Sequence, residues 1–104
     1  MNLKSGDLVV LKVNGPPSEA PVLGVAVHRP AEMRLLEGIK SLIMPFSEHV
    51  IEPGRPYIVT SVDASTVKSH IPRGVRIERD HVVLLDTGTG REFMARRILF
   101  RRLG

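Results

Sequence analysis

The chain has no cysteine and no tryptophan, and its only aromatic rings of the Phe/Tyr kind are Phe46, Tyr57, Phe93 and Phe100. Without cysteine there is no disulfide framework, no thiolate zinc site, no iron–sulfur cluster and no thiol nucleophile. The same absence fits a reducing compartment, and the chain reads as cytoplasmic. So few aromatics argue against two binding modes open to small β-domains. One is the aromatic-lined groove that grips polyproline segments. The other is the stacking platform that holds single-stranded bases. No apolar run approaches the roughly 20 residues that span a bilayer. The opening MNLKSGDLVV has no long apolar stretch after its lysine, so neither a signal peptide nor a membrane partner is expected.

Catalytic motifs are missing too. His28, His49, His70 and His81 show no paired spacing that would mark a metal site or a proton relay. No G-x-S-x-G presents a serine nucleophile. TGTG (87–90) lacks the lysine and helix of a phosphate loop and reads as a hairpin turn. The expectation is a protein that is not an enzyme, with no cofactor and no bound metal.

What is present is ordinary globular material with unevenly placed charge. At 104 residues the chain suits one domain, 1–104, and 42% hydrophobic residues are enough for one modest core. The net charge is +4. Residues 1–52 carry five Lys/Arg against six Asp/Glu, whereas residues 53–104 carry ten against five. From Arg91 onward there are five arginines and one glutamate, so this last stretch alone holds +4. Such asymmetry points to an anionic partner, either nucleic acid or an acidic protein.

Eight prolines and nine glycines cut the chain into short segments. DLVVLKV (7–13) is rich in β-formers and stops at the turn signal NGPP. VLGVAVH (22–28) reads as a second strand, with Gly24 marking a bulge or bend. RPAEMRLLEGIK (29–40) alone has helical character, with Pro30 suited to the first helical position and Glu32 to the first turn. SLIMPF (41–46) reads as an edge or extended segment because of Pro45. YIVTSVD (57–63) is a strand of β-branched and aromatic residues. VRIERDHVVLLD (75–86), the TGTG turn and REFMA form the expected hairpin, and ILFRRL (98–103) the last strand. The inward residues are expected to be Val9, Leu11, Val25, Val27, Ile58, Val83, Leu85 and Phe100.

SGDLVVLKVNGPP (5–17) resembles the first strand of small SH3-like barrels, including the KOW motifs of ribosomal and transcription-elongation proteins. It is also similar to the opening of a family of short bacterial proteins of uncharacterised function. Gly24-Val25 fits the second strand of the KOW pattern, so the close resemblance covers about a quarter of the chain. PYIVTSV, HVVLLDTGTGREF and ARRILFRRL follow the order of the remaining strands, and ARR corresponds to a short turn before the last one. The resemblance and the strand pattern together imply an all-β fold: a small SH3-like barrel of five or six strands. A short helical or loop insert is expected around residues 29–46.

Function does not follow from fold. The expected role is a non-enzymatic interaction module that binds nucleic acid or a ribonucleoprotein. Its candidate contacts are Arg91, Arg96, Arg97, Arg101 and Arg102, since arginine forks suit phosphates. Alternation sends Arg101 and Arg102 to opposite faces of the last strand, so these five do not make one flat patch. In the bland reading the same arginines are solvated charges paired with carboxylates such as Glu78, Asp80 and Glu92. The competing role is a protein–protein adaptor, of the kind that phages and plasmids encode, using the apolar insert 31–46 through Met33, Leu35, Leu36, Ile39 and Met44. A second copy of the chain is a further candidate partner.

Overall fold

The structure, a computed structural model, describes residues 2–12, 21–37 and 47–103, the side chains of residues 36 and 37 excepted. The elements run β1 (Leu8–Leu11), β2 (Val22–Ala26), α1 (Pro30–Glu37), β3 (Glu48–Ile51) and β4 (Tyr57–Ser61). A 3₁₀ segment (Ala64–His70), β5 (His81–Asp86), β6 (Arg91–Arg96), a 3₁₀ turn (Arg97–Leu99) and β7 (Phe100–Arg102) complete the chain. All strand pairs are antiparallel, in one sheet of order β3-β2-β6-β5-β4-β1-β7. The fold is all-β.

Two expectations are corrected. The described residues form seven strands where five or six were expected, and the sheet does not close, because its edge strands β3 and β7 are not paired with each other. The extra strand is β3, EHVI, whose inward side carries a histidine and only one aliphatic residue. The candidate strand 41–46 lies outside the described residues.

Although open, the sheet is rolled around its core. Alternate residues point inward on each strand: Val9 and Leu11, Tyr57 and Val59, Val82 and Leu84, Phe93 and Ala95. Ile51 on one edge strand and Phe100 on the other belong to this same buried cluster. Tyr57 meets Phe93 and Phe100 edge-on, at centroid distances of 5.2 and 6.3 Å. Burial of such rings is the main stabilising term in a domain of this size.

A second, smaller core lies on the opposite face. Val25, Val83 and Met94 point outward and are covered by Ala64, Val67, Ile71, Val75 and Ile77. Both faces of β5 are therefore buried, which explains why HVVLLD is almost continuously apolar. This corrects the expected core. Val9, Leu11, Val83 and Phe100 are buried, but Ile58 and Leu85 are only half-buried and belong to neither cluster. Val25 and Val27 are half-buried under the covering segment. Residues 75–80, expected as the first half of a strand, are not in the sheet; Gly74 turns the chain at φ +91°, a value that suits glycine.

Gly24 is neither bulged nor bent. It pairs in regular register with His49. A Cβ there would sit 2.8 Å from the Phe93 ring and 3.0 Å from the Met94 carbonyl oxygen. Glycine leaves the room that the Phe93 ring and the Met94 carbonyl of the neighbouring β6 take up beside β2. Gly24→Ala is expected to cost about 1–3 kcal/mol through overpacking. Urea denaturation checks this, and an unchanged midpoint would mean that Gly24 sits further from Phe93 and Met94.

Candidate anion-binding edge

Three backbone hydrogen bonds build the end of the chain. The Lys12 amide donates to the Leu99 carbonyl (2.6 Å), the Arg97 amide to the Asp80 carbonyl (2.8 Å), and the Leu103 amide to the Leu8 carbonyl (2.8 Å). They fix the 3₁₀ turn and set β7 beside β1, with Arg101 opposite Val10 and Arg102 opposite Val9. The five candidate arginines then fall into two groups.

Arg91, Arg96 and Arg102 are committed to carboxylates. Arg91 grips Glu32 at 3.0 and 2.5 Å, joining β6 to the first turn of α1. The Arg91 guanidinium, followed by the Arg29 amide, holds the Glu32 carboxyl down at about 2. Arg96 grips Asp80 at 2.9 and 2.8 Å and lowers the pKa of that carboxyl. Arg102 lies 3.2 Å from Asp7 and also donates to the Asn2 carbonyl. The bland reading, charges neutralised by acids, describes these three, although Glu92 accepts from Thr60 instead.

Arg97 and Arg101 have no carboxylate partner among the described residues, and neither has Lys12. Lys12 and Arg97 line a depression of about 320 Å³ together with Leu3, Asp80, Ile98 and Phe100. Ile98, within the 3₁₀ turn, is 71% exposed. The edge thus offers unpaired cations around an uncovered aliphatic side chain.

On α1, Pro30 takes the first position, and Glu32 accepts the Arg29 amide at 2.9 Å, satisfying an otherwise orphan donor. Met33 is half-buried and Leu35 is 70% exposed. The Leu36 side chain, Ile39 and Met44 lie outside the described residues.

Two buried polar groupings escaped the sequence reading. His49 Nε2 donates to Asp86 at 3.0 Å while its ring lies flat on Phe93, 4.5 Å between centroids. Asp86 also accepts from the Gly88 amide at 2.9 Å and faces Arg55 at 3.3 Å. A histidine–carboxylate pair is the arrangement that orients a general base; here it reaches from β3 past Gly24 on β2 and Phe93 on β6 to Asp86 on β5, and so ties these strands together. No periodic spacing could announce it, since His49 and Asp86 are 37 residues apart. Among the described residues no group of three or more His, Cys, Asp or Glu is placed to hold a metal ion.

His28 is buried, with Nε2 2.9 Å from Ser47 Oγ and with no hydrogen-bond partner for Nδ1 among the described residues. Burial, against the pull of Glu32, lowers its pKa below 6.5. The unfolded chain then binds this proton more readily, so stability is full above the ordinary histidine value and falls as pH drops through it. Loss in mildly acidic buffer should precede the steeper loss as Glu32, Asp80 and Asp86 protonate. His28→Asn should remove the first phase and keep the second in pH-dependent urea titrations; two unchanged phases would exclude His28 as the source.

A scan against protein-family models, a search of curated proteins and a search of solved structures each find no match for this chain.

Proposed function

We propose that this chain is a non-enzymatic interaction module with an SH3-like, incompletely closed barrel, and that its β7 edge binds the phosphate backbone of nucleic acid. The fold part of this reading is supported by the strand order β7-β1-β4-β5-β6 and by the 3₁₀ turn immediately before a last strand that pairs with the first. The functional part is carried by one observation: among the described residues, Lys12 and Arg97, which line the depression at that turn, and Arg101, which follows Phe100 on β7, have no carboxylate partner. Arg96 and Arg102 sit in exposed ion pairs whose net value is small, so phosphates could draw them away from Asp80 and Asp7. Arg91, clamped to α1, drops out of the candidate set.

Fluorescence anisotropy with labelled duplex DNA and RNA tests the proposal. With three phosphate contacts, log K should fall against log salt with a slope of roughly −3 on B-DNA. Lys12→Gln/Arg97→Gln/Arg101→Gln should remove most of that slope. Arg34→Gln, which deletes an exposed cation on α1 that has no carboxylate partner among the described residues, should leave it nearly unchanged. No binding of duplex or single strands at low ionic strength overturns the reading, as does an equal loss from Arg34→Gln.

The adaptor reading keeps one supporting observation, the exposure of Leu35 on α1. Leu35→Ser should weaken partner capture without altering nucleic-acid binding.

A further inference from the structure

We propose that a groove on the opposite face of the sheet docks an acidic peptide segment bearing a large aliphatic side chain. The groove has a volume of about 500 Å³ and lies between the 3₁₀ segment and residues 71–77. Its floor is apolar: Ile71 and Pro72 are buried, and Val75 and Ile77 are half-buried members of the outer core. Lys68 and Arg73 line it as exposed cations, and neither has a carboxylate partner among the described residues. No acidic residue is among those lining it.

The walls are held in place before any ligand arrives. Asp63 caps the 3₁₀ segment, accepting from the Ser65 amide at 3.0 Å and the Ser65 hydroxyl at 2.6 Å. The Val75 amide donates to the Pro72 carbonyl at 3.3 Å and closes the turn opposite. A preformed groove avoids the ordering cost that weakens mobile sites.

Charge and shape together select the occupant. Lys68 on the 3₁₀ segment and Arg73 in the turn opposite put a cation on each wall, which favours an anion, and the absence of acids among the lining residues removes the repulsion that would oppose it. The aliphatic floor suits an apolar side chain, which a phosphate backbone cannot supply. It contains no aromatic ring on which a nucleic-acid base could stack. An extended Glu/Asp-rich segment with a leucine or isoleucine anchor offers both features, and the volume lies within the range of ordinary ligand pockets. The site is separate from the β7 edge and does not depend on its function.

The test uses the full chain and a fluorescent peptide of glutamates around a central leucine. Anisotropy should report saturable binding, and amide NMR shifts should concentrate at residues 65–77. Lys68→Glu/Arg73→Glu, both at exposed positions, should weaken binding by at least about tenfold, as should serine in place of the peptide's leucine. Lys12→Gln/Arg97→Gln/Arg101→Gln should leave the peptide affinity within about twofold. Shifts confined to Lys12 and 97–101 would overturn the proposal, as would a leucine-independent affinity. Duplex DNA shifting residues 65–77 while the peptide does not would reassign the groove to nucleic acid. No binding at millimolar peptide would remove the site.

Discussion

Leu84→Ala is expected to destabilise the protein by about 2–5 kcal/mol, and Leu85→Ala by less than half as much. The two residues are adjacent in β5 and have the same side chain, so the difference comes from burial alone. Leu84 is fully buried, between Val59 on β4 and Phe93 on β6. Its removal leaves a cavity under the rings of the main core, and the rolled sheet has few ways to collapse into it. Leu85 faces the other way, opposite Ile58 and Glu92, and is half-buried outside both clusters. Part of its surface already meets water, so less transfer free energy is lost. Urea titrations of the two variants should show similar slopes and well-separated midpoints. Equal losses would mean that β5 is shifted by one residue, which exchanges the faces of every side chain on it.

That one-residue phase is also where the sequence stops being informative. The positions of β1, β2, β4 and the β5–β6 hairpin are legible because glycine and proline punctuate runs of β-branched residues. On β1, LVVL, Val9 and Leu11 take the inward side as alternation from Asp7 allows, yet Val10 beside them is buried as well, so the strand's own residues show little contrast. HVVLLD carries no contrast either. It is apolar on both sides because two layers cover it, and nothing local tells Val82/Leu84 from Val83/Leu85. Tyr57 and Ile58 pose the same ambiguity on β4, where Tyr57 is inward.

The candidate edge was legible as a set of cations and illegible as a site. Whether an arginine is free depends on where the carboxylates fold. Glu32 lies 59 positions from Arg91 and Asp80 lies 16 from Arg96, and no pattern along the chain couples them. The opening pair of a strand and the turn before the last strand are local features and could be anticipated. The pairing of β7 with β1, which brings Arg102 to Asp7 and Lys12 to the 3₁₀ turn, is set by tertiary structure.

Asp86→Ala is expected to cost about 3–5 kcal/mol, as much as losing a large core residue. Asp86 is 1% exposed and serves three elements: the Gly88 amide in the hairpin turn, the His49 ring on β3 and Arg55 in the loop before β4. Burial by itself raises its pKa; the Gly88 amide, the His49 hydrogen bond and the nearby Arg55 charge outweigh it, and the carboxyl sits below its usual value. Truncation leaves the His49 Nε2–H and the Gly88 amide without their acceptor, and unsatisfied donors in a dry site carry the full desolvation penalty. Arg55 suffers least, since Glu52 still holds it at 2.9 Å. Asp86→Asn should cost less than Ala, because its side-chain oxygen can still accept from Gly88. The same argument has a pH signature. A carboxylate with a lowered pKa stabilises the fold above its unfolded value, and that stability is lost as pH falls through the folded one. Asp86→Ala and wild type should therefore differ most at neutral pH and converge in acid. A difference that stays constant across the titration would mean that packing, and not the charge of Asp86, holds β3 at the edge of the sheet.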